Sequence, residues 1–307
     1  MISLLLMEKI SQLFLILLLG FFSVKAGLLK AEDTTVLSRV CLYIITPCVI
    51  IKCFQVDFTE DVRNGLILAF IAGFVSQMMI LAVCKGAKKL FHLDTVEHAS
   101  SIYSNSANLI IPVIAAVLGP EWIVYTTGYS TTQIVLFWTH LINLFSKEGI
   151  QLKKVLSNVN IICTIIGGIM LVVGIRLPAV ANNALDMAGN MIGPMSMLIV
   201  GMLMSKISLR DLFLNKRIYL VLFIRMFLCP TMMLLLLKLT NVGALVNNGH
   251  QILMISLLAT AAPTANTVTQ FAQLYDERPS YASAISTLTT LSCILTMPLF
   301  VYLYQIL

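Results

Sequence analysis

The chain has 307 residues, 59% of them hydrophobic and 11% charged, with a net charge of +6 and a mean hydropathy of +0.94. A soluble globular domain carries about 25% charged and about 45–50% apolar residues, which excludes a soluble enzyme or a nucleic-acid-binding module. The excess positive charge is read instead as that of cytoplasmic loops, which carry an excess of Lys and Arg. Several apolar runs reach the roughly 20 residues that cross a bilayer as a helix, and they lack the alternation of a membrane β-barrel.

Ten spans are predicted, at about 8–25, 34–53, 65–84, 99–119, 122–145, 158–176, 187–205, 217–238, 250–273 and 280–305. The first is kept as a helix rather than a secretory signal, because Glu8 stands before Lys9 where a basic region belongs. Span 2 contains Pro47. Span 4 contains "SNSANLIIPVIAAVLGP", with Asn105, Asn108 and Pro112 in its interior. Trp122 and Tyr125 at the start of span 5 read as interfacial anchors, as do Tyr302 and Tyr304. "GGIMLVVG" in span 6 and the Gly189–Gly193 pair in span 7 read as close helix packing. "NMIGP" up to Pro194 reads as a kink. Span 9 contains "LLATAAPTANTVTQFAQ". The seven cysteines lie in or beside apolar stretches with no CxxC, and read as small buried hydrophobes. No cofactor, metal or catalytic constellation is expected.

The charges set an orientation. The loops after spans 1, 3, 5, 7 and 9 collect 13 Lys and Arg, against 5 on the other side. The richer side faces the cytoplasm, so both termini are expected outside it in a multi-pass cell-membrane protein. Arg39 and Arg225 lie one to two turns inside their spans from the cytoplasmic side and read as side chains snorkelling to headgroups or pairing with a loop carboxylate, ahead of anion attraction at an inner vestibule. His98 and His140 read as interfacial. All 14 carboxylates fall in loops or at span ends. A proton or sodium exchanger of this size keeps an ionisable carboxylate within the membrane, so a pure cation exchanger is disfavoured.

Proline spacing points to two halves. Pro47 and Pro194 are 147 residues apart, and Pro112 and Pro263 are 151 apart. Residues 1–150 and 151–307 would each hold five spans, and an odd number of spans inserts the second half upside down. A proline costs a helix one hydrogen bond and clashes with the carbonyl four residues back, but suits a first turn. Pro112 is therefore expected to open a second half-helix in span 4, with Asn105 and Asn108 beside the break. Thr260, Pro263, Thr264 and Asn266 repeat the scheme in span 9. If the two broken spans cross at mid-bilayer, two half-helix N-termini, each worth roughly +0.5 charge, face one point. That makes an anion site without a basic side chain.

The chain resembles the auxin efflux carrier family, which includes the plant PIN-FORMED exporters and many bacterial permeases. The resemblance rests on the ten-span plan, "NLIIPV", "AAPTANTV", and the opening "GFFSVKAGLL" with "LSRVCLYIITPCVI". It implies an all-α fold of ten transmembrane helices in a 5+5 inverted repeat, with crossed discontinuous helices 4 and 9. It also implies carriage of small organic anions, auxins in plants and carboxylates such as malate or malonate in bacteria. Pro112 and Pro263 match the crossover prolines, and Asn108 and Asn266 the polar positions beside them. The resemblance further implies a core of spans 3, 4, 5, 8, 9 and 10 moving against a scaffold of spans 1, 2, 6 and 7. The long regulatory loop of some plant members is reduced here to about residues 146–157. The partners expected are a small organic anion and the lipid bilayer; pairing of two copies stays open. A sodium-coupled symporter of bile-acid-symporter type, a receptor on the carrier fold and a channel remain as alternatives.

Overall fold

The computed structural model describes residues 2–146, 152–205 and 215–307. The side chains of Asn108 and Pro112 lie outside the described residues, as do Lys147, Lys206 and Arg210 from the loop charges. Within them the chain is nearly all helical. In order, α1 is Ile2–Lys25, α2 is Ala31–Cys53 and α3 is Glu60–Phe91. After α4 (Thr95–Ile102) and an interruption come a π turn, Ser106–Ile110, and α5 (Ile111–Val117). The segments α6 (Thr126–Leu136), α7 (Ile142–Phe145) and α8 (Leu152–Leu156) follow. Next are α9 (Val159–Val173), α10 (Ala179–Gly189) and α11 (Ile192–Met204), then α12 (Lys216–Thr240). The chain ends with α13 (Gly249–Ala261), α14 (Asn266–Leu274) and α15 (Pro279–Ile306).

Five helical runs, Ala31–Cys53, Glu60–Phe91, Ala179–Met204, Lys216–Thr240 and Pro279–Ile306, are long and apolar enough to cross a bilayer. Their surroundings are inverted relative to a soluble protein. Ile162, Ile165, Ile169 and Val172 of α9 face outward, and so do Ile67, Phe70 and Phe74 of α3. Inside lie Gln77, Gln133, Thr260, Thr264, Thr289 and a fully buried Arg225. In lipid, apolar burial gives little force between helices, so close packing and hydrogen bonds must hold them. At the α1–α11 contact, a Cβ on Gly201 would stand 1.8 Å from the Leu17 carbonyl oxygen, and one on Gly20 2.3 Å from that of Leu198. Close packing is also found where the sequence suggests it, at Gly189 and at Gly167 in "GGIMLVVG". A Cβ on Gly189 would stand 3.0 Å from Val49 Cγ2 and one on Gly167 2.3 Å from the Phe54 ring, while one on Gly168 meets nothing within 4 Å.

Helix starts follow local chemistry. Asp94 accepts from the Glu97 amide at 2.8 Å, and Glu97 accepts from the Asp94 amide at 3.0 Å, a reciprocal cap. The Asn158 side chain accepts from the amides of Asn160 and Ile161 and starts α9. Three prolines share a device: Pro47, Pro112 and Pro230 each stand second in a segment that follows a π turn, at Cys41–Ile45, Ser106–Ile110 and Ile224–Leu228. The wider turn leaves a spare carbonyl and relieves the proline's clash with residue i−4. The helix therefore runs through Pro112 instead of beginning at it.

Packing pairs recur between the halves. The helix α1 lies along α11, while α9 lies along the end of α2. Likewise α3 packs on α6 and α12 on α15, and α13 packs on α3 as α4 does on α12. Ion pairs link loops at each end separately. At one end Arg217 holds Glu97 at 2.5 Å and Arg278 holds Asp94. At the other, Arg176 holds Asp57 at 2.5 Å and Lys52 faces Asp186 at 3.6 Å. Tyr304 is buried with its hydroxyl on the His250 carbonyl, so only Tyr302 of that pair is exposed as an anchor would be.

Candidate functional site

Two helical runs are interrupted, and the interruptions pair. Ser104 and Thr264 form an isolated antiparallel bridge. The Asn105 amide donates to the Pro263 carbonyl at 2.7 Å, and the Ala265 amide to the Tyr103 carbonyl at 2.9 Å. The first interruption is at 103–105, between α4 and the π turn, about two turns before Pro112. The second is at 262–265, so Pro263 sits within the break and Asn266 opens α14. An extended stretch inside a membrane protein must have its backbone groups satisfied by protein. The bridge satisfies one edge of each strand-like segment.

Side chains satisfy the other edge. Gln133 of α6 takes the amide and hydroxyl of Ser104 on its Oε1, at 3.3 and 2.9 Å, and donates Nε2 to the Ser104 carbonyl at 2.6 Å. Gln77 of α3 donates to the same Oε1 at 3.2 Å. In the second break, the Thr264 amide donates to Thr289 Oγ1 of α15 at 3.2 Å. Thr264 itself donates its hydroxyl to the Ser100 carbonyl at 3.0 Å.

Arg225 closes the back of this arrangement. It is 0% exposed. Its guanidinium donates to the carbonyls of Ala262 (3.0 Å) and Thr260 (2.7 Å), and to those of Ile102 (3.1 Å) and Ser101 (3.4 Å). These carbonyls terminate α13 and α4, the C-terminal ends of the two leading segments. Each end carries roughly −0.5 charge, so one guanidinium offsets both. The snorkelling reading of Arg225 is therefore corrected: its reach is spent inward, because four unpaired carbonyls in a dry interior hold a planar fork of donors better than headgroups can. A basic side chain thus stands behind the breaks, on the carbonyl ends, and does not line the cavity in front of them. Arg39, by contrast, is exposed.

A cavity of about 270 Å³ lies in front of the breaks, lined among others by Asn105, Gln133, Asn160, Ser196, Asn266 and Gln270. Among the described residues its lining holds no charged side chain. Of the residues singled out from the sequence, Asn105 and Asn266 meet here. Among the described residues the Asn105 side-chain amide makes no hydrogen bond, and Asn266 accepts one from Ser286 at 3.2 Å. Thr260 and Thr264 are fully buried behind the cavity in the hydrogen bonds given above. Pro263 lends its carbonyl to the bridge. The Asn160 Oδ1 is buried with no protein partner. Sequence reading passed over Gln133, Asn160 and Ser196. A glutamine at the middle of span 5 was the available signal.

A second, larger cavity of about 510 Å³ lies toward the opposite end, lined by Lys52, Gln55, Glu121, Asp186 and Asn190 with Val49, Ile111 and Ile192. The two cavities share a wall. Cys41, Ile45, Val49, Ile111, Ile192 and Ile199 form one buried apolar cluster. Cys41 and Ile199 line the smaller space, and Val49, Ile111 and Ile192 the larger. The larger space has an open apolar face; the convergent polar groups and paired breaks belong to the smaller one, which is the candidate site.

Comparison with known proteins agrees with this architecture. No curated protein matches the chain. A family model described as membrane transport protein matches residues 5–160 and again residues 148–301, so that the two matches together span nearly the whole sequence. The chain is a multi-pass membrane transporter and belongs to the membrane transport protein family, that of the auxin efflux carriers.

Proposed function

We propose that this transporter moves a small organic anion, a mono- or dicarboxylate, by alternating access. The observation that carries the reading is the asymmetry at the paired breaks. Arg225 neutralises the C-terminal ends of α4 and α13. The N-terminal ends beyond the breaks, at Asn105 and Asn266, are left toward a cavity without carboxylates. Helix N-termini and amide donors suit a carboxylate. Asn105, Asn160 and Asn266 would donate to it, with Ser104 and Gln133 fixing the backbone behind. Asn108 and Pro112 are retained as candidates on the resemblance to the family.

The topology proposed is ten spans in a 5+5 inverted repeat, divided near residue 150, with the fourth and ninth crossing at their breaks. The exchanged packing pairs, α1 on α11 with α9 on α2, and α3 on α6 with α12 on α15, are what two inverted halves produce. Gln133 and Thr289, each from the span after a break, serve their breaks in the same way. Alternating access is supported by the two cavities on either side of one apolar wall. The smaller one opens toward Ser38 and Asn158, the end whose loops carry the excess of lysine and arginine. That end is assigned to the cytoplasm and both termini to the far side.

The test is counterflow in liposomes with mono- and dicarboxylates, with and without sodium and a pH gradient. Exchange of a carboxylate that saturates is the expected result, and Asn105→Ala and Asn266→Ala should each lower it at least tenfold. Exchange of neutral or cationic solutes only would refute the anion assignment. Binding with no flux would make the protein a receptor, and flux without saturation a channel. Uptake that vanishes without sodium would make it a symporter.

A further inference from the structure

A third cavity, about 490 Å³, lies away from the breaks, between the end of α3, the start of α4 and the region of α7. Leu81, Ala82, Lys85, Lys88, His98, His140 and Leu144 line it, with no carboxylate among them. The nearby acids are engaged elsewhere: Asp94 with Arg278 and Glu97 with Arg217. Lys85 and Lys88 are exposed at the rim. His98 forms part of the wall; it is 5% exposed, and its Nδ1 is buried with no protein partner. Its ring lies 6.4 Å from that of His140. The groove is thus basic at the rim, apolar along Leu81, Ala82 and Leu144, and walled by His98, whose buried Nδ1 has no partner among the described residues. It sits at the end whose loops carry the excess basic charge. A free small anion would use the rim and leave the apolar strip wet.

We propose that this groove binds an anionic phospholipid. Its phosphate pairs with Lys85 and Lys88 and takes hydrogen bonds from the imidazoles, and one acyl chain lies along the apolar strip. The site also reaches the transport machinery. His140 Nδ1 lies 2.8 Å from the Tyr103 hydroxyl, and the Tyr103 carbonyl takes the Ala265 amide across the paired breaks. A bound lipid therefore steadies His140 and, through Tyr103, the edge of the candidate site. This inference rests on binding, so it stands or falls apart from the identity of the cargo.

The experiment uses the full chain in phosphatidylcholine nanodiscs doped with phosphatidylglycerol, with lipid retention titrated by native mass spectrometry. Lys85→Gln/Lys88→Gln should lower the affinity for phosphatidylglycerol about thirtyfold, which corresponds to about 2 kcal/mol, about one for each lysine. The control pair Lys25→Gln/Lys30→Gln removes the same charge from the same end, outside the groove, and should change affinity less than threefold. Equal loss in both pairs would mean general surface attraction and overturn the proposal, as would no loss in either. Inorganic phosphate is the competing probe. If it displaces the lipid at matched concentration, the groove is a free-anion site and the lipid assignment is overturned. All four substituted lysines are exposed, and monodispersity by size exclusion identifies the folded samples.

Discussion

Replacing Arg225 with methionine removes a side chain that ties the ends of both leading segments together. Three of its contacts, to Thr260, Ala262 and Ile102, are 2.7–3.1 Å long, and the fourth, to Ser101, is 3.4 Å. Hydrogen bonds to charged groups contribute about 1.5–3 kcal/mol each, which puts a ceiling of about 9 kcal/mol on the three good ones. Interhelical hydrogen bonds in membranes average about 0.6 kcal/mol, which puts a floor of about 2. A buried acceptor left without its donor costs about 1–3 kcal/mol, and about 4 for the three together is the value we expect. The loss should be local. Amide exchange at Asn105 and Ala265, whose N–H groups cross between the breaks, should quicken about a thousandfold, at about 1.4 kcal/mol per decade. Amides in α1 and α11 should keep their protection. Arg225→Lys retains the charge, but a compact ammonium cannot fork across carbonyls from two helices, so it should recover less than half of the protection. Unchanged exchange at Asn105 and Ala265 in Arg225→Met, in folded protein, would refute the reasoning.

Three further outcomes follow from other contacts. Gln133→Leu strands the Ser104 amide and carbonyl and should cost about 1–3 kcal/mol in a denaturant titration, with transport lost as the first break relaxes. Gly201→Ala places a methyl group against the Leu17 carbonyl; α1 must move off α11, and thermal unfolding in detergent should show a loss of about 1–3 kcal/mol. The third concerns Glu97. Burial alone would raise its carboxyl, but the Arg217 guanidinium, the Asp94 amide and the Tyr281 hydroxyl outweigh that and hold it below the usual carboxylate value of 4.5. A depressed folded-state pKa gives stability that is present above the unfolded value and lost as pH falls through the folded one. The melting temperature of the wild type should therefore fall toward that of Glu97→Gln below about pH 4.5 and stand above it at pH 7. A constant gap between the two across that range would remove Glu97 from the account.

Much of the architecture was legible in the chain because it follows from local quantities. The length of an apolar run fixes whether a helix can cross a bilayer. Asn158 before α9 and Asp94 with Glu97 at α4 are caps readable within four residues. The two polar, proline-bearing segments announced interruptions in the right helices, since such residues cost a lipid-buried helix unless something repays them. Where the first interruption falls was not legible. Pro112 is tolerated because the π turn before it absorbs the missing bond. The chain opens instead at Ser104, where Thr264, 160 residues away, supplies a backbone partner and Gln133 supplies the other edge. Arg225 carries the same lesson. In sequence it is an arginine a turn or two inside a span, a position equally suited to snorkelling. Only tertiary packing brings four carbonyl ends from two helices within reach of its guanidinium. A charge is stabilised by whichever dipoles surround it, and that surrounding exists only once the two halves have met.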